Sequence, residues 1–179
     1  MEEEAKEFAR EAHKDQFRKY KKEPYIEHPI RVAKLVSTVP HTKEMICAAY
    51  LHDVVEDTPV NIAEIQKRFG DKVAGYVQEL TDVYVKQDYP HLNRKARKEK
   101  EVQRLSQISN EAKTIKLADV IDNTRDIVDN DKGFARKYVP EMEAVVEVLK
   151  GGNYNLFNIA NQEVIRGKQI LAKKKGYSN

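Results

Sequence analysis

Residues 50–58, YLHDVVEDT, place His52, Asp53, Glu56 and Asp57 inside an otherwise apolar run. His52 and Glu56 are four apart, as are Asp53 and Asp57. On a helix each pair shares a face, and the two pairs are adjacent. Carboxylates this close repel one another and are costly to take out of water. Acids at a helix C-terminus also oppose its macrodipole. Two readings fit. One is a charged helix end facing water. The other is a divalent cation at His52 and Asp53, which turns the crowding into attraction.

A cation needs further ligands, and two separate segments offer them. His28 stands in YIEHPI, just ahead of Pro29, and Asp119 stands in KLADVIDN. Taken singly, a histidine before proline reads as a packing or capping residue. A lone acid on an apolar helix reads as a satisfied hydrogen-bond acceptor. Taken together the segments form a His, His-Asp, Asp set. Two nitrogens with two or more oxygens suit Mn, Fe, Co, Ni or Zn.

HP followed by LHDVVEDT and then KLADVIDN resembles the HD-domain metal-dependent phosphohydrolases. PYIEHP, the HDxxEDT extension and the KLAD…N helix narrow the resemblance. They are similar to the (p)ppGpp hydrolase domain of the RelA/SpoT family and its stand-alone members, the small alarmone hydrolases. The resemblance covers most of residues 5–150 and implies an all-α HD-domain multi-helix bundle. It implies metal ligands at His28, His52, Asp53 and Asp119, with Mn²⁺ as that family's usual ion. The family's paired acids fall on Glu56 and Asp57, where they orient or deprotonate the attacking water. Its phosphate-binding basic pair falls on Arg18 and Lys19, and its nucleotide-contacting asparagine on Asn123. Tyr138, with Phe134 and Lys137, falls on the nucleotide side, and Lys116 and Arg125 are further candidate cations. Tyr25 either packs under a nucleoside or anchors the core. His13, His41 and His91 match no ligand motif and read as surface or packing histidines.

The activity so implied is hydrolysis of the 3′-pyrophosphate of (p)ppGpp or a related alarmone such as (p)ppApp. Its products are a nucleoside di- or triphosphate and pyrophosphate. Two alternatives share the skeleton. One is a phosphatase acting on another nucleotide, such as the 2′-phosphate of NADPH or a nucleoside triphosphate. The other is a non-catalytic nucleotide-binding module. The chain departs from the family pattern at Lys22-Glu23, where a glycine often precedes PY, and over residues 83–110.

These residues need a scaffold. A chain of 179 residues suggests one domain spanning 1–179, ending in a helix near 155–174 and a basic tail. Seven glycines, six prolines and scarce strand-like alternation point to helices throughout. The spacing predicts a first helix over 2–19 with Phe17 on its apolar side. It predicts one helix through KEMICAAYLHDVV, capped by Thr42, and another behind Asn61 that Gly70 closes. YVKQDYPHL reads as a loop over a pocket, NRKARKEKEVQRLSQI as a solvated helix, and 129–133 as a turn. A net charge of +3 is too mild to imply nucleic acid, and the basic runs lack interleaved aromatics. One cysteine excludes a disulfide framework and a Cys-rich zinc site. The charged N-terminus shows no signal peptide, and no apolar run approaches the ~20 residues that span a bilayer. Those features imply a cytoplasmic protein with no membrane, and the resemblance implies a small-molecule nucleotide partner. Relatives are often dimeric or larger, so a homo-oligomer is compatible with the resemblance, though no patch marks an interface.

Overall fold

A computed structural model describes residues 1–173. Among them are ten helices: α1 (Glu2–Ala12), α2 (Glu27–Val36), α3 (Lys43–Leu51), α4 (Val54–Asp57), α5 (Ile62–Phe69), α6 (Asp71–Leu80), α7 (Arg94–Leu105), α8 (Asn110–Asn130), α9 (Lys132–Val148) and α10 (Tyr154–Ala172). The β-pairing among the described residues is one isolated antiparallel bridge, Phe17 with Pro24. No described helix is long and apolar enough to cross a membrane. The basic tail beyond Lys173 lies outside the described residues.

The helices begin where short polar side chains can satisfy free backbone N–H groups. Thr42, Asn61, Asn93, Ser109 and Asn153 each accept from the first turn behind them. Gly70, at φ 89°, joins α5 directly to α6, a conformation that glycine adopts without steric cost. α8 is the central element, packed against α2, α3, α6, α9 and α10. Ile115, Leu117, Ala118 and Ile121 on α8 are fully buried, which a surface helix does not show. At the α9–α10 turn, Gly152 lies against the backbone of Lys113 and Thr114.

Three boundaries differ from the sequence expectation. α1 stops at Ala12 rather than residue 19. Arg18 N–H donates to the Glu23 carbonyl and Tyr25 N–H to the Gln16 carbonyl, so residues 16–18 pair across a loop. That leaves Phe17 63% exposed. Lys22 turns this loop at φ 51°, in the left-handed region where the family pattern often has glycine. The KEMICAAYLHDVV helix divides into α3 and α4, with the chain turning at Asp53 (φ −96°, ψ −7°). The 129–133 turn shrinks to Asp131 alone, whose carboxylate caps α9 at Phe134 N–H.

Candidate metal centre and active site

The break between α3 and α4 shapes the site. Successive residues of an unbroken helix point about 100° apart. The turn at Asp53 instead brings its Oδ2 to 3.1 Å from Nε2 of His52. The same oxygen is 3.5 Å from Nε2 of His28, in the first turn of α2. Asp119, from the middle of α8, places Oδ1 3.3 Å from His28 Nε2 and 3.8 Å from His52 Nε2. One ligand atom each from His28, His52 and Asp119 lies within 4.8 Å of the others. Both histidines and Asp119 are buried.

The remaining ring nitrogens show which lone pairs are free. His28 Nδ1 lies 2.7 Å from Asp122 Oδ2, and His52 Nδ1 lies 2.8 Å from the Ala49 carbonyl oxygen. Both partners accept, so each Nδ1 carries the proton and each Nε2 presents a lone pair. The two Nε2 atoms are buried without a hydrogen-bond partner. Two orphaned imidazole nitrogens facing two carboxylates fit a divalent cation.

The electrostatics agree. Burial disfavours charge on Asp119, yet Lys116, His28 and His52 hold it well below the usual carboxylate range. Asp53 is also depressed, with His52 and His28 outweighing its desolvation. Burial disfavours protons on both imidazoles, but the surrounding acids raise them. Buried Asp119 and half-buried Asp53 therefore demand positive charge at this point, which protons or a cation can supply.

The acid pair sits beside this cluster. Tyr25 Oη donates to Asp53 Oδ2 at 2.8 Å and reaches Asp57 Oδ2 at 3.2 Å. Its ring stacks on His13, with centroids 4.7 Å apart. Tyr25 is thus tied to both acids, a role its position after proline does not reveal. Desolvation and Asp53 raise the Asp57 carboxyl. Glu56 keeps an exposed face, but its carboxylate turns inward and accepts from Asp82 N–H at 3.1 Å. Desolvation and the neighbouring Asp82 push Glu56 up to about 7. Such a carboxyl can exchange a proton with water near neutral pH.

On the other side runs a chain of polar groups. Asn123 Nδ2 donates to Asp119 Oδ1 at 2.6 Å, and its own oxygen accepts from Arg18 Nη2 at 3.0 Å. The same Nη2 donates to the buried Asp126 at 2.9 Å. Lys116 Nζ pairs with Asp119 Oδ2 at 2.9 Å. Lys19 does not join them: it pairs with Asp131 at 3.3 Å, and its side chain is 72% exposed. Arg125 pairs with Glu163 on α10 instead.

A cavity of about 760 Å³ opens from Asp119 and Asn123 between α7, α8 and α9. Lys116, Lys137 and Tyr138 line it, as do Arg94, Lys98, Val102 and Leu105 of α7. One wall of the cavity is α7, the charged helix expected to be solvated on most of its surface, and the 84–92 loop expected over a pocket is not among the residues that line it. Glu101 is 4% exposed and accepts the N–H groups of Val83 and Tyr84, pinning the start of that segment to α7. Sequence reading also missed Asp122 and Asp126. Positions 119, 122, 123 and 126 form an i, i+3, i+4, i+7 polar stripe on α8, a signal that marks both.

The HD domain family model matches residues 5–149. The chain belongs to the HD-domain family. This HD-domain protein is 35% identical over 167 residues to a Drosophila melanogaster protein named guanosine-3′,5′-bis(diphosphate) 3′-pyrophosphohydrolase MESH1, covering 89% of each chain. The Homo sapiens protein of the same name is 36% identical over 83% of this chain and 82% of its own. A solved structure of a metazoan ortholog of SpoT, which hydrolyzes ppGpp and plays a role in starvation responses, superposes with a TM-score of 0.83. That match has 32% identity and covers 95% of this chain and 96% of the other.

Proposed function

We propose that this HD-domain hydrolase removes the 3′-pyrophosphate of (p)ppGpp or a closely related alarmone. One observation carries the reading: two orphaned histidine Nε2 atoms face Asp53 and Asp119 directly beside Glu56 and Asp57. The Drosophila and human relatives named 3′-pyrophosphohydrolases are matched along most of their length.

In this reading His28, His52, Asp53 and Asp119 hold the metal, and Mn²⁺ is the ion we assign. Such a cation supplies Lewis-acid polarisation of a phosphoryl oxygen and eases deprotonation of water. Glu56, poised near neutrality, takes the proton of the attacking water. Asp57, fixed by Tyr25, orients that water. The water oxygen bonds to the phosphorus carried by the 3′ oxygen. The P–O3′ bond breaks, the 3′ oxygen leaves with its electron pair and takes a proton from solvent water, and pyrophosphate departs while Glu56 returns its proton to solvent. Arg18, Asn123 and Lys116 face the developing negative charge from the α8 side. Lys19 reaches phosphate by leaving Asp131, which its exposure permits. Tyr138 and α7 wall the nucleoside end of a cavity whose size suits a nucleotide. We place this chemistry in the cytoplasm.

A product-resolved assay with ppGpp, pppApp and NADPH in Mn²⁺ tests the reading, with Asp53→Ala as blank. Pyrophosphate from an alarmone, absent in the blank, is expected. Orthophosphate from NADPH alone selects the phosphatase alternative. No alarmone turnover above the blank sinks the proposal.

A further inference from the structure

Asp122 is a buried acid, 8% exposed, that neither lines the cavity nor belongs to the ligand cluster. It sits on the far side of His28. Its Oδ2 accepts from His28 Nδ1 at 2.7 Å, and its Oδ1 accepts from Arg31 Nε at 2.7 Å. Arg31 Nη2 lies 3.3 Å from Oδ2 of Asp122 and 2.8 Å from Glu23 Oε1. A line of side chains therefore runs from Glu23 through Arg31 and Asp122 to His28. It ends on the nitrogen that faces Asp53 and Asp119.

We propose that Asp122 is a positioning residue for the metal centre: through Nδ1 it fixes the tautomer and plane of His28, and Arg31 fixes Asp122. The proposal rests on the reading of His28 as a ligand. A neutral imidazole has one N–H, and only the Nδ1–H tautomer offers the Nε2 lone pair. A carboxylate on Nδ1 selects that tautomer and makes the ring a better donor. Arg31 grips Asp122 through two nitrogens, so the carboxylate cannot rotate away from the ring.

The two histidines differ in how they are held. His52 donates to the Ala49 carbonyl three residues back, so its tautomer follows from helix backbone. His28 stands in the first turn of α2, and the carbonyl three residues back, that of Tyr25, accepts its backbone N–H while the ring Nδ1 turns to Asp122. It needs a side chain from another element, and α8 provides one three residues beyond Asp119. One helix thus supplies a ligand and the group that aims a second ligand. This asymmetry separates the proposal from a plain buried ion pair between Arg31 and Asp122. An ion pair predicts lost stability alone, whereas positioning predicts a change confined to His28.

Mn²⁺ titration and nitrogen-15 NMR of the histidine rings test this on the full-length protein. Asp122→Asn keeps an oxygen acceptor for Nδ1 but removes the charge. It is expected to weaken Mn²⁺ binding about 10-fold, and Asp122→Ala by about 10- to 100-fold. Saturating Mn²⁺ should return kcat of Asp122→Asn toward wild type with KM for the nucleotide unchanged. In metal-free protein at alkaline pH, where the rings are neutral, His28 should be Nδ1–H in wild type. It should become a tautomer mixture in Asp122→Ala while His52 stays Nδ1–H. Arg31→Gln should give a smaller loss of Mn²⁺ affinity, and it carries the test with Asp122→Asn if Asp122→Ala does not fold. Wild-type Mn²⁺ affinity in the Asp122 variants, or an unchanged His28 tautomer in Asp122→Ala, overturns the proposal. The tautomer is read without any ion, so it distinguishes failure of Asp122 from failure of the metal reading.

Discussion

The hydroxyl of Tyr25 lies 2.8 Å from Oδ2 of Asp53 and within 3.2 Å of Asp57. One phenol proton thus sits between two acids that otherwise repel. A hydrogen bond to a charged acceptor contributes about 1.5–3 kcal/mol. Tyr25→Phe keeps the ring on His13 and removes the bond. We expect kcat to fall about 10- to 100-fold, with KM nearly unchanged, in steady-state pyrophosphate release. A rise in KM at constant kcat would assign Tyr25 to nucleoside stacking instead.

Glu56 links catalysis to pH. With its carboxyl at about 7, kcat/KM should rise as pH increases through neutrality, and Glu56→Gln should lower and flatten that limb. Stability runs the other way. The folded carboxyl sits at about 7 against 4.5 for the ordinary group, so between those values the folded protein binds more protons. Metal-free protein should therefore lose stability as pH rises across that window. Urea midpoints measured in chelator should show the decline in wild type and a shallower one in Glu56→Gln.

Removing the metal should loosen one place first. The α3–α4 turn brings half-buried Asp53 and buried Asp119 together with both histidines, and a cation offsets that crowding. Hydrogen exchange with and without chelator should show the largest gain at residues 52–57. Uniform exchange along the chain would contradict this.

Gly152 tests the scaffold without touching the chemistry. A Cβ there would lie 2.9 Å from Leu117 Cδ1, 3.0 Å from the Lys113 carbonyl carbon and 3.0 Å from Thr114 N. Two of those neighbours are backbone and cannot step aside. Gly152→Ala should cost about 1–3 kcal/mol, read as a lower thermal midpoint. Turnover at permissive temperature should stay near wild type.

What the sequence made legible follows from how local each determinant is. The caps at Thr42 and Asn61 and the closure at Gly70 act within one helical turn, and the structure has all three. The candidate ligands stood out because their residue types are costly in apolar helices without a purpose. The length of α1 was not legible, because residues 16–18 pair with a segment beyond the loop, which helical periodicity cannot register. Arg18 and Lys19 were expected to act as a pair. Arg18 follows the Phe17 bridge and Lys19 opens the turn beyond it, so the two side chains part: Arg18 meets Asn123 and Lys19 meets Asp131. The charge of α7 implied a solvated helix, but composition does not say which residue turns inward. Glu101 does, and its helix walls the cavity.

The loop that ends α1 also bears on the order in which the chain folds. Arg18 meets Asn123 across 105 positions of sequence, and His28 meets Asp122 across 94. Local helices can form before either closure, while the loss of chain entropy makes the closures slow. On refolding, far-ultraviolet ellipticity should recover ahead of metal affinity and turnover. The centre would then report completion of the fold, because it forms only when the first thirty residues have found α8.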